Sequence, residues 1–179
     1  LLTASTPNPA GGAPIVSTTV YDQAGRVWKQ LDPLSRTTTT RYDALNRVDR
    51  VTGPRGYWTG FGYDWAGRRT TVTDRRGSTT TTSYDPAGHP VRLVDPLVTA
   101  TSPSGRTTTW TYDGAGRLWK TTDPRGNATG ATAANFTSVI TYDIAGNVAQ
   151  TADNLGRAWK STWDPDGSLA SKVSGKSRT

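Results

Sequence analysis

Residues 21–27 read Tyr21-Asp22-Gln23-Ala24-Gly25-Arg26-Val27, and the rest of the chain is organised around the recurrence of that stretch. Tyr-Asp returns at 42–43, 63–64, 84–85, 112–113 and 142–143, and Trp163-Asp164 takes the next place. The intervals are 21, 21, 21, 28, 30 and 21 residues, a fixed period with two insertions. Four residues after the aromatic stand Gly25, Asn46, Gly67, Gly88, Gly116, Gly146 and Gly167. The following slot holds Arg26, Arg47, Arg68, His89, Arg117, Asn147 and Ser168. Eleven after the aromatic comes Asp32, Gly53, Asp74, Asp95, Asp123 or Asp153, with proline next at 33, 54, 96 and 124.

Each slot has a physical reading. Asp-x-Ala-Gly is a turn, because Asp bonds the backbone two residues on and Gly accepts a positive φ. Asn46 suits the Gly slot, since Asn tolerates the left-handed region better than most residues. Asp-Pro-x-Gly is a second turn, with Pro fixing φ at its second position. Between the turns lie stretches of about six residues rich in Thr, Val, Trp and Tyr, which suit strands. The repeat is therefore a β-hairpin plus the turn to the next hairpin. The expected fold is all-β, an antiparallel meander of about 12–14 short strands over residues 15–173. It should form a curved or spiralling single-layer sheet, advancing about 10 Å per repeat. Residues 1–14 read as a flexible N-terminal segment and 174–179 as a polar basic tail. Both insertions follow an Asp-Pro turn, so longer loops belong near 97–105 and 127–137.

Composition agrees with strands and removes several function classes. The 179 residues include 32 Thr and 19 Gly, while all 14 acidic residues are Asp and Met is absent. Glu and Met are good helix formers and Thr is not, so a helix bundle is not expected. Without Cys there is no disulfide and no thiolate metal site, and one histidine, His89, makes no multi-histidine site. Apolar runs are too short for a membrane span or a signal-peptide core. The chain opens on Leu1 rather than Met, as a piece of something longer would.

The units Tyr21-Asp22-Gln23-Ala24-Gly25-Arg26-Val27, Tyr112-Asp113-Gly114-Ala115-Gly116-Arg117-Leu118 and Tyr142-Asp143-Ile144-Ala145-Gly146-Asn147-Val148 resemble the YD repeats of Rhs proteins. The resemblance covers about residues 15–173. It implies a long β-strip that spirals into a hollow shell. In Rhs polymorphic toxins and the C component of insecticidal toxin complexes that shell encloses a toxic domain. In teneurins a similar barrel serves adhesion at the cell surface, and YD repeats have been associated with carbohydrate binding. About seven repeats are too few to close a cage by the family's standards, and no segment resembles its self-cleaving core. The expected part is a stretch of wall in a secreted or cell-surface, bacterial protein.

Candidate sites weigh against that frame. Twelve of the Asp residues occupy turn slots and read as turn formers, leaving Asp49 and Asp166 outside the register. Turn carboxylates about 10 Å apart on one rim are too far apart to share a cation. Tyr21, Tyr42, Tyr63, Tyr84, Tyr112, Tyr142 and Trp163 should form an aromatic ladder, with Trp28 and Trp119 sharing a second slot. The densest aromatic stretch is Tyr57, Trp58, Phe61 and Trp65, beside Arg55 and Arg68. A ligand patch, if present, is expected there, with a glycan as the ligand class. Arg after the turn Gly should pair with the turn Asp four residues before it, which uses much of the net charge of +7. Nucleic acid is not an expected partner, no cofactor or metal is, and no catalytic set is recognisable. Two glycosylation sequons, at Asn127 and Asn135, fall in the second loop. A thin sheet has open edges, so partners are the remainder of a larger chain, an enclosed cargo or toxin domain, or a second copy.

Overall fold

The computed structural model describes residues 2–6, 15–97 and 105–175. Fifteen antiparallel strands follow one another in chain order, each strand's sheet neighbours being its chain neighbours. The first compact unit, residues 1–79, holds β1 (Leu2–Thr6), β2 (Ile15–Tyr21), β3 (Val27–Leu31), β4 (Thr37–Tyr42), β5 (Val48–Thr52), β6 (Trp58–Tyr63) and β7 (Arg69–Thr73). The second, residues 80–179, takes in most of β8 (Thr79–Tyr84), then β9 (Pro90–Asp95), β10 (Arg106–Tyr112) and β11 (Leu118–Thr122). It continues with β12 (Thr137–Tyr142), β13 (Val148–Ala152), β14 (Ala158–Trp163) and β15 (Leu169–Gly175). The all-β meander read from the period is the observed fold.

Three boundaries differ from the sequence reading. Residues 2–6, assigned to a flexible segment, form β1 and pair with β2, so the sheet starts before residue 15. Residues 174 and 175, assigned to the tail, finish β15. The loop near 127–137 is not plain coil, because Ala133–Phe136 forms a turn of 3-10 helix before β12. Its counterpart near 97–105 falls mostly outside the described residues, as do residues 7–14 and 176–179.

Both kinds of turn share one backbone geometry. At the Tyr-Asp turn, the Gly25 N–H donates to the Asp22 carbonyl at 3.1 Å and the Asp22 N–H donates to the Arg26 carbonyl at 2.9 Å. Gly25 has φ +78°, which makes this a three-residue hairpin loop ending in a left-handed residue. At the Asp-Pro turn, Ser35 donates to the Asp32 carbonyl at 2.8 Å and Asp32 to the Arg36 carbonyl at 3.1 Å. Ser35 has φ +58°, a conformation costing an L side chain about 1–2 kcal/mol. Glycine relieves that cost but loses more chain entropy. Ser35→Gly is therefore expected to stabilise the chain by about 0.5 kcal/mol, read as a higher urea midpoint at unchanged slope. An unchanged or lower midpoint contradicts the strain argument.

The strands differ in one respect that the period does not reveal. Tyr21 pairs with Val27 but Val20 pairs with Lys29, so Trp28 is an extra residue, a β-bulge. The same slip occurs after Tyr42, Tyr63, Tyr84, Tyr112, Tyr142 and Trp163, always seven residues beyond the aromatic. The alternate hairpins β3–β4, β5–β6 and β13–β14, whose turns begin at Asp32, Gly53 and Asp153, keep a regular register. Bulges therefore belong to one end of the hairpins, where they raise the local twist.

No hydrophobic side chain is buried among the described residues. The buried positions there are Gly105 and Gly126, both glycines in close contact with neighbouring chain. Stability must come from the ladder, the turns and half-buried side-chain contacts rather than from a filled core.

Candidate functional site

The residues that recur most regularly form links between turns one repeat apart within each unit. Asp22 begins it. Its Oδ1 accepts the backbone N–H groups of Ala24 and Arg26, each at 2.9 Å, and its Oδ2 accepts the Arg26 Nε–H at 2.8 Å. That clamp holds the Arg26 guanidinium 4.4 Å from the ring centre of Tyr42, one repeat on. The Tyr42 hydroxyl donates back to the Val27 carbonyl at 2.8 Å, the residue just before the bulge. Arg26 also donates to the Asn46 side chain in the next turn.

The unit repeats with substitutions that keep its function. Asp43, Arg47 and Tyr63 reproduce it, with the ring 4.5 Å away and the hydroxyl on the Val48 carbonyl at 2.8 Å. Asp113, Arg117 and Tyr142 do the same, at 4.3 Å and on Leu118. Where His89 replaces Arg, it binds Asp85 at 3.0 Å and stacks on Tyr112 with ring centres 4.6 Å apart. Where Trp163 replaces Tyr, its indole N–H donates to the Val148 carbonyl at 2.9 Å. The slot requires a flat ring with a donor at its far end, which Tyr and Trp supply and Phe does not. At Tyr42, Tyr63, Tyr112 and Tyr142 the expected ladder is not ring on ring, because an Arg or His side chain lies on each. Rings one repeat apart on a sheet are about 10 Å distant, a gap that these side chains fill.

The turn carboxylates are tuned as acceptors. The Asp22 carboxyl lies below its ordinary value, chiefly through the hydrogen bond from the Arg26 side chain. Asp43 and Asp113 are lowered chiefly by the backbone N–H of Arg47 and Arg117. A carboxyl depressed in the fold contributes stability above its unfolded value, and loses it as pH falls through the folded value. Turn stability is therefore expected to be constant near neutrality and to fall below about pH 4. Urea midpoints measured from pH 7 to pH 2 check this, and a midpoint that rises on acidification contradicts it.

The six residues of the expected ligand patch are dispersed. Arg55 and Tyr57 lie at the turn before β6, whereas Trp65 and Arg68 lie at the turn after it. Alternation along β6 sends Trp58 and Phe61 to opposite faces. Four of the six have a neighbour of their own: Arg75 over Tyr57, Arg50 over Trp58, Arg69 over Phe61 and Asp64 on Arg68. Trp65 stands 93% exposed at a turn tip. The sequon residue Asn127 is structural, its amide donating to the carbonyls of Thr107, Thr122 and Asp123 at 3.1–3.2 Å. Among the described residues no group of three or more His, Cys, Asp or Glu side chains comes together, and no helix is long and apolar enough to cross a membrane.

Comparison with known proteins places this arrangement. The RHS Repeat family matches at residues 63–97 and again at 97–128. The fold is similar to chains in the Photorhabdus luminescens Tc holotoxin pore (15% identity, TM-score 0.53, 93% of this chain and 10% of that one). It is also similar to the TcdB2-TccC3 complex (15% identity, TM-score 0.54, 86% of this chain and 10% of that one). This chain thus spans about a tenth of the length of the chains it matches. No curated protein matches the sequence.

Proposed function

We propose that these RHS repeats are a section of wall, a non-enzymatic part of a longer secreted bacterial protein whose β-shell encloses a toxin or other cargo domain. The observation that carries this is the Asp–Arg–Tyr link, which engages the groups an enzyme would use for chemistry. The turn carboxylates accept from their own turns, the guanidiniums lie on rings, and the phenols donate to main-chain carbonyls. Such a site holds one repeat to the next and has no free nucleophile, base or acid to offer a substrate. Likeness in fold to chains of toxin complexes, over a tenth of their length, supports a segment that works by extension with further repeats. A glycan-binding or adhesion module, the alternative, needs rings gathered on one face. The spread of Tyr57, Trp58, Phe61 and Trp65 over two ends and two faces of β6 favours the wall.

The test is electron cryomicroscopy of the full-length product that contains these repeats. A closed, β-walled particle with density inside it is the expected result. An open or extended sheet without a lumen overturns the proposal.

A further inference from the structure

Arg41 on β4 and Arg50 on β5 are direct partners in the ladder. Like charges directly opposite one another are destabilising, so the pair needs a reason. The bulge supplies half of one: it places Asp49 on the same face, where both of its oxygens take Arg41. Nε donates at 2.8 and 3.0 Å and Nη2 at 2.7 Å. Arg50 receives nothing equivalent. It makes no hydrogen bond or ion pair among the described residues, and its Nε is buried without an acceptor. A buried donor left unpaired is costly and calls for an explanation.

The surroundings hold Arg50 in place. Its guanidinium lies 4.3 Å from the ring centre of Trp58. Gly60, the ladder partner of Arg50, makes room for that ring, because a Cβ there would stand 2.9 Å from Trp58 Cζ3. Arg41, Arg50 and Trp28 line one hollow of about 400 Å³, and Trp28 is 51% exposed. Asp22 and Arg26 line the same hollow and pair with each other, as Arg41 pairs with the adjoining Asp49, so three guanidiniums against two carboxylates leave a single uncompensated positive charge, that of Arg50, beside an accessible flat ring.

We propose that this hollow binds a carboxylate carried on a ring, with the carboxylate on the Arg50 guanidinium and the ring against Trp28. The buried Nε is out of a ligand's reach, so the two Nη groups, which are not buried, take the carboxylate in the two-point geometry that a planar guanidinium offers. One net charge favours a monoanion, since a dianionic phosphate would leave excess negative charge facing Asp49. An indole face supplies the stacking partner that acetate cannot use.

Titration of the chain with benzoate, followed by NMR at the Trp28 indole, tests this. Benzoate is expected to bind saturably, with acetate and inorganic phosphate weaker. Arg50→Gln should weaken benzoate about tenfold, corresponding to about 1.4 kcal/mol, while circular dichroism and the melting curve stay those of the parent. Because Trp28 is half exposed, Trp28→Leu should fold and reduce benzoate to the level of acetate. Tighter binding of glucuronate than benzoate supports the site and makes a sugar acid its ligand. Equal titration of the parent and Arg50→Gln overturns it, and so does phosphate binding as tightly as benzoate.

Discussion

Alanine at Gly105 is expected to lower the unfolding free energy by about 3 kcal/mol or more. Two costs add. Gly105 has φ +94°, where a Cβ is strained, and that Cβ would collide with the Asp95 carbonyl oxygen and stand 3.0 Å from Val94 Cγ1. The carbonyl belongs to the β9 main chain and cannot move without breaking the ladder of β9 on β10. Gly25 is the control: it has φ +78° and a Cβ there would meet nothing within 4 Å, so Gly25→Ala should cost only about 1 kcal/mol. Urea unfolding of both variants checks the pair. A Gly105→Ala cost no larger than that of Gly25→Ala contradicts the close-contact argument.

Tyr142→Ala should cost about 3 kcal/mol and Tyr142→Phe about 1 kcal/mol. Alanine removes the ring from beneath Arg117, loses the area that it half buries, and strips the Leu118 carbonyl of its donor. Phenylalanine keeps the ring and the Arg117 contact and loses only the donor. The ordering is the informative part. If Phe is as costly as Ala, the hydroxyl matters more than the ring. If Phe costs nothing, the Leu118 carbonyl needs no cap at the bulge. Trp163 makes the same point from the other side, since a different ring reaches its carbonyl with an indole N–H.

Much of this frame is written plainly in the chain. Tyr-Asp-x-Ala-Gly-Arg names both turn residues and both members of the ion pair, because each acts within five residues of its partner. The bulge is not legible in that way. Its seven positions are Trp28, Asp49, Thr70, Val91, Trp119, Ala149 and Ala170, which share no chemistry; only the backbone register makes them equivalent. A usable sign of the Tyr hydroxyl's role was present, since the slot takes Trp at 163 and never Phe. The dispersal of the expected ligand patch has a simple reason. Closeness in a strand's sequence means opposite faces for adjacent residues, and Trp58 and Phe61 are three apart. Arg50 was invisible because its neighbours Arg41 and Trp28 come from other strands.

Repeats are joined by side chains crossing from one turn to the next, in place of a filled core. A double-mutant cycle on Arg47 and Tyr63 measures one such joint directly, using Arg47→Gln, Tyr63→Leu and the double variant in urea unfolding. A coupling of about 1 kcal/mol is expected, the size of a half-desolvated cation on an aromatic ring. Effects that add to within about 0.3 kcal/mol would show that ring and guanidinium lie side by side without supporting each other, and would contradict the account.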